Sequence, residues 1–162
     1  RARFCAGDRA IGERFEAIRR DVLARRRDLA RLGDEVVAMR RKMHDGHPNR
    51  SELFDIKHDR GGMVDIEFIV QFLVLAHSAD HPELQANRGN IALLGMAADA
   101  GLIEPALAGE VADAYRRYRR LQHKLRLDDA EYARIPPAEA KDEREAVTRL
   151  WQTVLGADQR PG

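Results

Sequence analysis

Cysteine is almost missing from this chain of 162 residues, because Cys5 is the only one. A single cysteine excludes an internal disulfide framework and is compatible with a reducing compartment. An excess of one charge sign is missing too, since 28 basic and 27 acidic side chains leave a net charge of +1. A chain with balanced charge has no overall field that would attract nucleic acid or a membrane.

Long apolar runs are also missing. A membrane-spanning helix needs about 18 or more apolar residues in a row, whereas the longest apolar stretch, within 63–76, contains Asp65, Glu67 and Gln71. The first residues lack the pattern of a signal peptide. We therefore expect a cytoplasmic protein that has no membrane partner. The start at Arg1, without a methionine, suits a fragment of a larger protein.

Helical periodicity is what the sequence has in abundance. Apolar residues recur at steps of three and four after Asp8 and after Asp34, which predicts two helices capped by these residues. Each helix should bury one apolar stripe. The stripes are Ile11, Phe15, Ile18 and Val22 in the first helix and Val36, Met39 and Met43 in the second.

Later in the chain, four more helices are predicted, over 65–79, 90–100, 105–127 and from about residue 138 onward. The first of these is apolar nearly all round, so it should be the central and most buried element. Gly101 is placed to cap the next one, and Pro105 suits the first position of the long helix. The tail 156–162 should be disordered.

Between the two groups of helices lies a stretch that joins three local patterns without a spare residue. Phe54, Ile56 and His58 alternate with polar residues, which predicts a short strand over 53–57. The double glycine at 61–62 ends this strand. Two adjacent glycines permit a positive φ or a close backbone approach that a Cβ atom would prevent.

The predicted fold is therefore all-α, a bundle of five or six helices with at most one short strand. A lone strand has no pairing partner and leaves backbone donors and acceptors unpaired. We therefore expect residues 51–61 either to be loosely held in this chain or to dock on a neighbouring molecule. A position against the sheet of a catalytic domain is what the family resemblance described next implies for them.

The same stretch, with Lys57, Gly61-Gly62 and Asp65-Ile66-Glu67-Phe68, resembles the signature of the bacterial glutamine-synthetase adenylyltransferase and deadenylylating enzymes. Further similar segments occur in the order expected for the carboxy-terminal portion of those enzymes, namely 1–3 with 7–8, 15–21, 36–43, 71–75 and Trp151. The resemblance covers nearly the whole chain and is most specific over 54–75. It implies a carboxy-terminal helical domain.

The resemblance implies a parent enzyme that transfers AMP from ATP to a tyrosine of glutamine synthetase with the help of Mg²⁺, while its amino-terminal half removes the AMP. ATP and Mg²⁺ would serve the parent enzyme and would not bind tightly to this fragment. The implied partners are glutamine synthetase, the PII signalling protein and the catalytic nucleotidyltransferase domain of the same chain. Residues 1–50 would be a helical lead-in to that domain, and 51–155 the junction and bundle.

An Asp-x-Asp pair, which two-metal nucleotidyl transfer needs, does not occur in the sequence. The nearest match, Asp65-x-Glu67, lies on a predicted helix, where positions two apart point about 200° apart around the axis. We therefore expect no catalytic residue, no metal site and no activity from this chain alone. Two interpretations of Lys57, Gly61, Gly62, Asp65 and Glu67 remain open: a helix cap with a surface ion pair, or a border of the nucleotide site in the parent enzyme.

Arginine clusters at 25–27, 40–42 and 116–120 suggest an alternative, a free-standing helical module that binds nucleic acid or protein through basic faces. Acidic residues are scattered among the arginines, which favours solvated helix faces and argues against a nucleic-acid polymer. The histidine pairs at 44/47 and 77/81 lack the four ligands of a closed zinc site.

Overall fold

Six α-helices make up most of the chain in the computed structural model, which describes residues 4–156. Two strands of two residues each, and two short 3₁₀ turns at Pro82–Gln85 and Pro137–Ala140, complete the fold. The elements are α1 Arg9–Leu23, α2 Leu29–Asp45, β1 Phe54–Asp55, α3 Met63–His77, α4 Asn90–Asp99, α5 Pro105–Leu127, β2 Arg134–Ile135 and α6 Lys141–Leu155. The predicted all-α bundle is confirmed.

Helix α3 lies at the centre and contacts α2, α4, α5 and α6. Nine of its 15 residues are buried, among them Ile66, Ile69 and Leu73. A helix that is apolar on every side can pack against neighbours in several directions at once, which is why α3 takes this position. The prediction that it is the central element is confirmed.

Helices α5 and α6 pack extensively against each other in the core. Val111 and Tyr118 of α5 and Val147 and Leu150 of α6 are completely inaccessible to solvent. The predicted limits of α5 are confirmed, because Pro105 occupies the first turn and the helix ends at Leu127.

Helix α2 differs from its prediction in its start and its buried face. It begins at Leu29, where the Asp28 carboxylate accepts a hydrogen bond from the Arg31 N–H at 3.1 Å, so the predicted cap at Asp34 is wrong. Met39 and Met43 were expected to be buried but are exposed. The face that meets the core instead carries Leu32, Val36, Val37 and the buried Arg40.

Helix α1 begins as predicted, because Asp8 accepts a hydrogen bond from the Ala10 N–H at 2.7 Å. Its apolar stripe is not buried: Ile11 is 69% exposed and Ile18 is 54% exposed. The prediction that this stripe packs into the bundle is therefore wrong. Polar contacts help to attach the helix instead, such as the hydrogen bond from the Arg19 guanidinium to the Gln85 carbonyl at 2.7 Å.

Strand β1 has a partner inside the chain, contrary to the prediction. It pairs antiparallel with β2, with Phe54 opposite Ile135 and Asp55 opposite Arg134. Phe54 is almost fully buried, and the Arg144 guanidinium covers its ring at 4.5 Å. A strand of two residues is too short to show an alternation of apolar and polar residues, and prolines follow it directly. This is why β2 was not predicted. The predicted disordered tail lies outside the described residues except for Gly156, as do residues 1–3 of the resemblance.

Candidate functional site

The double glycine forms a turn that is enclosed by the bundle. Gly61 has a φ of +82°, and a Cβ atom there would lie 3.0 Å from the backbone of Arg144 on α6. Gly62 has an ordinary φ of −90°, yet a Cβ atom there would lie 2.6 Å from the Ile56 carbonyl oxygen. Gly61 is thus required by conformation and close approach, and Gly62 by close approach alone.

Two hydrogen bonds hold this turn to neighbouring helices. The Tyr118 hydroxyl on α5 donates to the Gly61 carbonyl at 2.9 Å, and the Gly61 N–H donates to Asp65 Oδ2 at 2.6 Å. Burial raises the pKa of the Tyr118 hydroxyl, and the nearby Glu143 carboxylate acts in the same direction. Tyr118 therefore stays a hydrogen-bond donor, and the turn is fixed from both sides.

Asp65 forms a buried ion pair with Arg40 of α2. Arg40 Nε donates to Asp65 Oδ1 at 2.5 Å, and both side chains are nearly inaccessible to solvent. Burial raises the pKa of the Asp65 carboxyl, and the Arg40 guanidinium and the Gly61 N–H oppose that effect. Arg40 also donates to the His58 carbonyl at 2.8 Å, which ties α2 to the turn.

Of the open interpretation of a helix cap with a surface ion pair, the surface location of the ion pair is wrong for Asp65, because its pair with Arg40 is buried. Gly62 occupies the N-cap position of α3 without a side chain, and Asp65 lies in the first turn, where it accepts the Gly61 N–H as that interpretation expected. Arg40 was missed because it was assigned to a solvated arginine cluster. Its position one turn beyond Val36, on the inward side of α2, is the signal that could have identified it.

Glu67 points to a different part of the bundle from Asp65. Its carboxylate accepts a hydrogen bond from the Tyr115 hydroxyl of α5 at 3.0 Å. Asp65 thus faces α2 and Glu67 faces α5, so the two carboxylates do not converge, as helical geometry predicted. Within residues 4–156, no three His, Cys, Asp or Glu side chains are grouped so that they could hold a metal ion.

Lys57 is the signature residue that the structure places on the surface. It lines a cleft of about 450 Å³, whose walls come from the loop 46–48, the segment 55–58, the end of α5 and the segment 130–134. His47 and His58 stack at this cleft with ring centroids 4.3 Å apart. The structure therefore separates Lys57 from Gly61, Gly62 and Asp65, which are buried in the fold.

Several of the clustered arginines connect elements of the fold. Arg26 pairs with Asp80, and Arg27 donates to the Leu75 carbonyl at 3.0 Å. Arg117 pairs with Glu143 of α6. The side chains of Arg26 and Arg117 stay 79% and 41% exposed, so the prediction of solvated faces holds for them. Arg27 is half-buried, and the prediction is wrong for Arg40, which is buried.

Comparison with known proteins gives one family. The family model described as GlnD PII-uridylyltransferase matches residues 34–153.

None of the helices in the described part of the chain has the length and apolar character to span a membrane.

Individual relatives are bifunctional glutamine synthetase adenylyltransferase/adenylyl-removing enzymes. The enzyme of Bordetella bronchiseptica is 57% identical over 155 residues, which is 96% of this chain and 16% of the relative. That of Burkholderia mallei is 56% identical over 97% of this chain and 17% of the relative. That of Nitrosomonas europaea is 45% identical over 96% of this chain and 18% of the relative.

The chain thus spans only 16% of the length of the Bordetella relative, about a sixth. The resemblance found in the signature is confirmed over nearly the whole chain. Because the family model covers most of its residues, the chain belongs to the family described as GlnD PII-uridylyltransferase.

Proposed function

We propose that this chain is a non-catalytic helical part of a glutamine synthetase adenylyltransferase/adenylyl-removing enzyme, and that it orients the catalytic nucleotidyltransferase domain of that enzyme. In this proposal the chain is the carboxy-terminal portion of a cytoplasmic parent. ATP and Mg²⁺ bind the catalytic domain, and glutamine synthetase is the protein substrate.

One observation carries the proposal: both carboxylates of the signature already have partners within the fold. Asp65 is buried against Arg40 and the Gly61 N–H, and Glu67 accepts from Tyr115. Two-metal transfer needs carboxylates that converge on a pair of ions about 3.5–4 Å apart. Asp65 and Glu67 instead stabilise the turn and the packing of α3, which is a structural role.

The exposed stripe of α1 supports the part of the proposal that concerns a neighbouring domain. Ile11, Ile18 and Val22 lie on one face and are exposed, and no residue of α1 belongs to the hydrophobic core. Exposed apolar side chains in a row are typical of an interface. Since the chain spans 16% of the length of its Bordetella relative, the catalytic domain of the parent is the occupant we propose.

An assay of the chain alone tests the catalytic part of the proposal. The chain is incubated with labelled ATP, Mg²⁺ and glutamine synthetase, and label on the synthetase is measured. We expect no transfer. Transfer of label, abolished by Asp65→Asn or Glu67→Gln, would assign a working metal site to the signature and contradict the proposal.

A second experiment tests the orienting role in the full-length parent enzyme. Ile18→Glu places a charge in the α1 stripe, and Ala17→Glu places the same charge on the neighbouring face of the same helix. We expect Ile18→Glu to lower transferase activity by about tenfold or more. A tenfold loss corresponds to losing roughly 1.4 kcal/mol of interaction free energy between the domains. Equal activities of the two variants would contradict a domain contact at this stripe.

The family also suggests a docking surface for glutamine synthetase or the PII signalling protein on this bundle, and the family is the only support for it. The alternative of a free-standing arginine-rich binding module is less well supported, because Arg26, Arg27, Arg40 and Arg117 are used within the fold.

A further inference from the structure

The cleft beside Lys57, called the Lys57 cleft below, collects positive charge on a surface that the proposed function does not use. Lys57, Arg126 and Arg134 line it, together with His47, His58 and Tyr132. These residues come from four separate segments of the chain, so the folded structure is what brings them together. Its volume of about 450 Å³ lies within the range of roughly 300–1,000 Å³ that small-molecule sites occupy.

Acidic residues of the cleft are occupied by internal partners. Asp55 is buried, and its Oδ1 accepts the backbone N–H groups of Lys57 and His58, each at 3.0 Å. The Glu131 carboxylate accepts a hydrogen bond from the Tyr132 hydroxyl, and this hydrogen bond raises the pKa of Tyr132. Both carboxylates keep their negative charge, and Asp55 lies 3.7 Å from Arg134. The three cations Lys57, Arg126 and Arg134 nevertheless outnumber these two carboxylates in the lining of the cleft.

Two of the cations have no partner among the described residues. The ammonium of Lys57 and the guanidinium of Arg126 make no hydrogen bond and no ion pair there. Arg134 is only loosely paired, with its Nε 3.7 Å from Asp55 Oδ2 and without a hydrogen bond. An anion bound in this cleft would therefore meet three cationic groups that need not break an existing hydrogen bond.

Parts of the cleft are also held in place before any ligand arrives. The pairing of β1 with β2 sets Asp55 opposite Arg134, and the Arg134 guanidinium lies 4.2 Å above the Tyr132 ring. Asp55 Oδ1 fixes the backbone that carries Lys57. A pre-organised site loses less conformational entropy on binding than a set of mobile surface side chains.

We propose that the Lys57 cleft binds a phosphate group of a small molecule, with Lys57, Arg126 and Arg134 as its cationic contacts. Guanidinium groups match the geometry of phosphate oxygens, and an ammonium adds a compact positive charge. The phosphate belongs either to the free anion or to a nucleotide. This inference rests on the cleft alone and stands or falls independently of the orienting role.

The test is a calorimetric titration of the 162-residue chain with inorganic phosphate, pyrophosphate, ATP and adenosine. We expect saturable binding of at least one phosphate-bearing probe and none of adenosine. Equal affinity for pyrophosphate and ATP identifies a free-anion site, whereas tighter binding of ATP identifies a nucleotide site. Absence of saturable binding by all phosphate-bearing probes, or binding of adenosine as tight as that of ATP, would overturn the proposal.

Matched variants locate the binding. Lys57→Ala and Arg126→Ala should each weaken phosphate binding by about tenfold or more, because each removes a charge-assisted contact. Lys124→Ala and Arg120→Ala remove the same charges from exposed positions of α5 outside the cleft and should change affinity by less than about twofold. Equal losses in the cleft variants and the control variants would show a general charge effect and would overturn the assignment.

Discussion

Arg40 and Asp65 illustrate at the scale of single residues how much one buried contact determines. Both side chains are nearly inaccessible to solvent, and the pair joins α2 to the start of α3. A buried charge that loses its partner keeps its full desolvation cost, so each member depends on the other. The ion pair therefore stabilises the turn at 61–62 and the start of α3, where the family signature lies.

Arg40→Ala should lower the free energy of unfolding by about 3–5 kcal/mol, because it leaves the Asp65 carboxylate buried without a counter-charge. Arg31→Ala is the control, since the Arg31–Glu35 pair is exposed on the same helix, and it should cost about 0.5 kcal/mol or less. Urea denaturation of both variants measures the difference. Equal midpoints would contradict a stabilising role of the buried pair.

The two kinds of glycine in this chain respond in opposite ways to one added methyl group. At Gly62 a Cβ atom would lie 2.6 Å from the Ile56 carbonyl oxygen, whereas at Gly109 in α5 it would meet no atom within 4 Å. Gly62→Ala should destabilise the protein by about 1–3 kcal/mol through overpacking. Gly109→Ala should stabilise it by up to about 1 kcal/mol, because alanine favours the helix. Thermal unfolding compares them, and shifts of the same sign would refute the prediction.

Elements differ in how far the sequence predicts them. Helices α3, α4 and α5 follow their apolar periodicity and their glycine and proline signals, so their positions were predictable. The start of α2 was not, because Asp28 and Asp34 are both suitable caps and the glycine at 33 indicates a break that the folded helix tolerates. Strand β2 has only two residues and exists because β1 pairs with it.

The candidate site shows the same limit. The sequence identifies the double glycine and the two carboxylates, and the helical geometry of 65–67 correctly predicts that the carboxylates diverge. It does not identify Arg40 or Tyr118, because their contacts join residues 25 and 57 positions apart. Such partners are set by the packing of helices, which no local pattern contains.

Position in the bundle decides what a leucine contributes to an element. Leu73 of α3 is 3% exposed, whereas Leu127 at the end of α5 is 84% exposed. Leu73→Ala should therefore cost about 2–5 kcal/mol through the cavity it leaves. Leu127→Ala should change stability by less than about 0.5 kcal/mol. Urea denaturation measures both, and a small effect at Leu73 would mean that α3 is not the central helix.

At the scale of the whole molecule, stability is unevenly distributed. The buried hydrophobic core is built mainly from residues of α3 to α6 and the two strands; partly buried residues of α2 pack against it, and no residue of α1 does so. A segment with few buried apolar contacts opens more easily than the core. The chain thus combines a compact bundle with an attached amino-terminal helix.

A variant that begins at Asp28 should fold and keep its midpoint of thermal unfolding within about 3 °C of the full chain, an interval that corresponds to roughly 1 kcal/mol for a chain of this size. Differential scanning calorimetry measures both midpoints. A variant that begins at Asp34 is the comparison, because it removes the first turn of α2 and Leu32, and it should lose more stability. A larger loss from deleting α1 alone would show that α1 is part of the core.

The pairing of β1 with β2 encloses α3, α4 and α5 in a single closed loop of the chain. The hydrogen bond from Tyr118 to Gly61 closes part of the same loop, between residues 57 positions apart. Contacts between distant segments form late, because the entropy of closing the loop is lost before the contact is made. This small helical protein should consequently fold more slowly than a bundle in which every helix packs only against its neighbours in sequence.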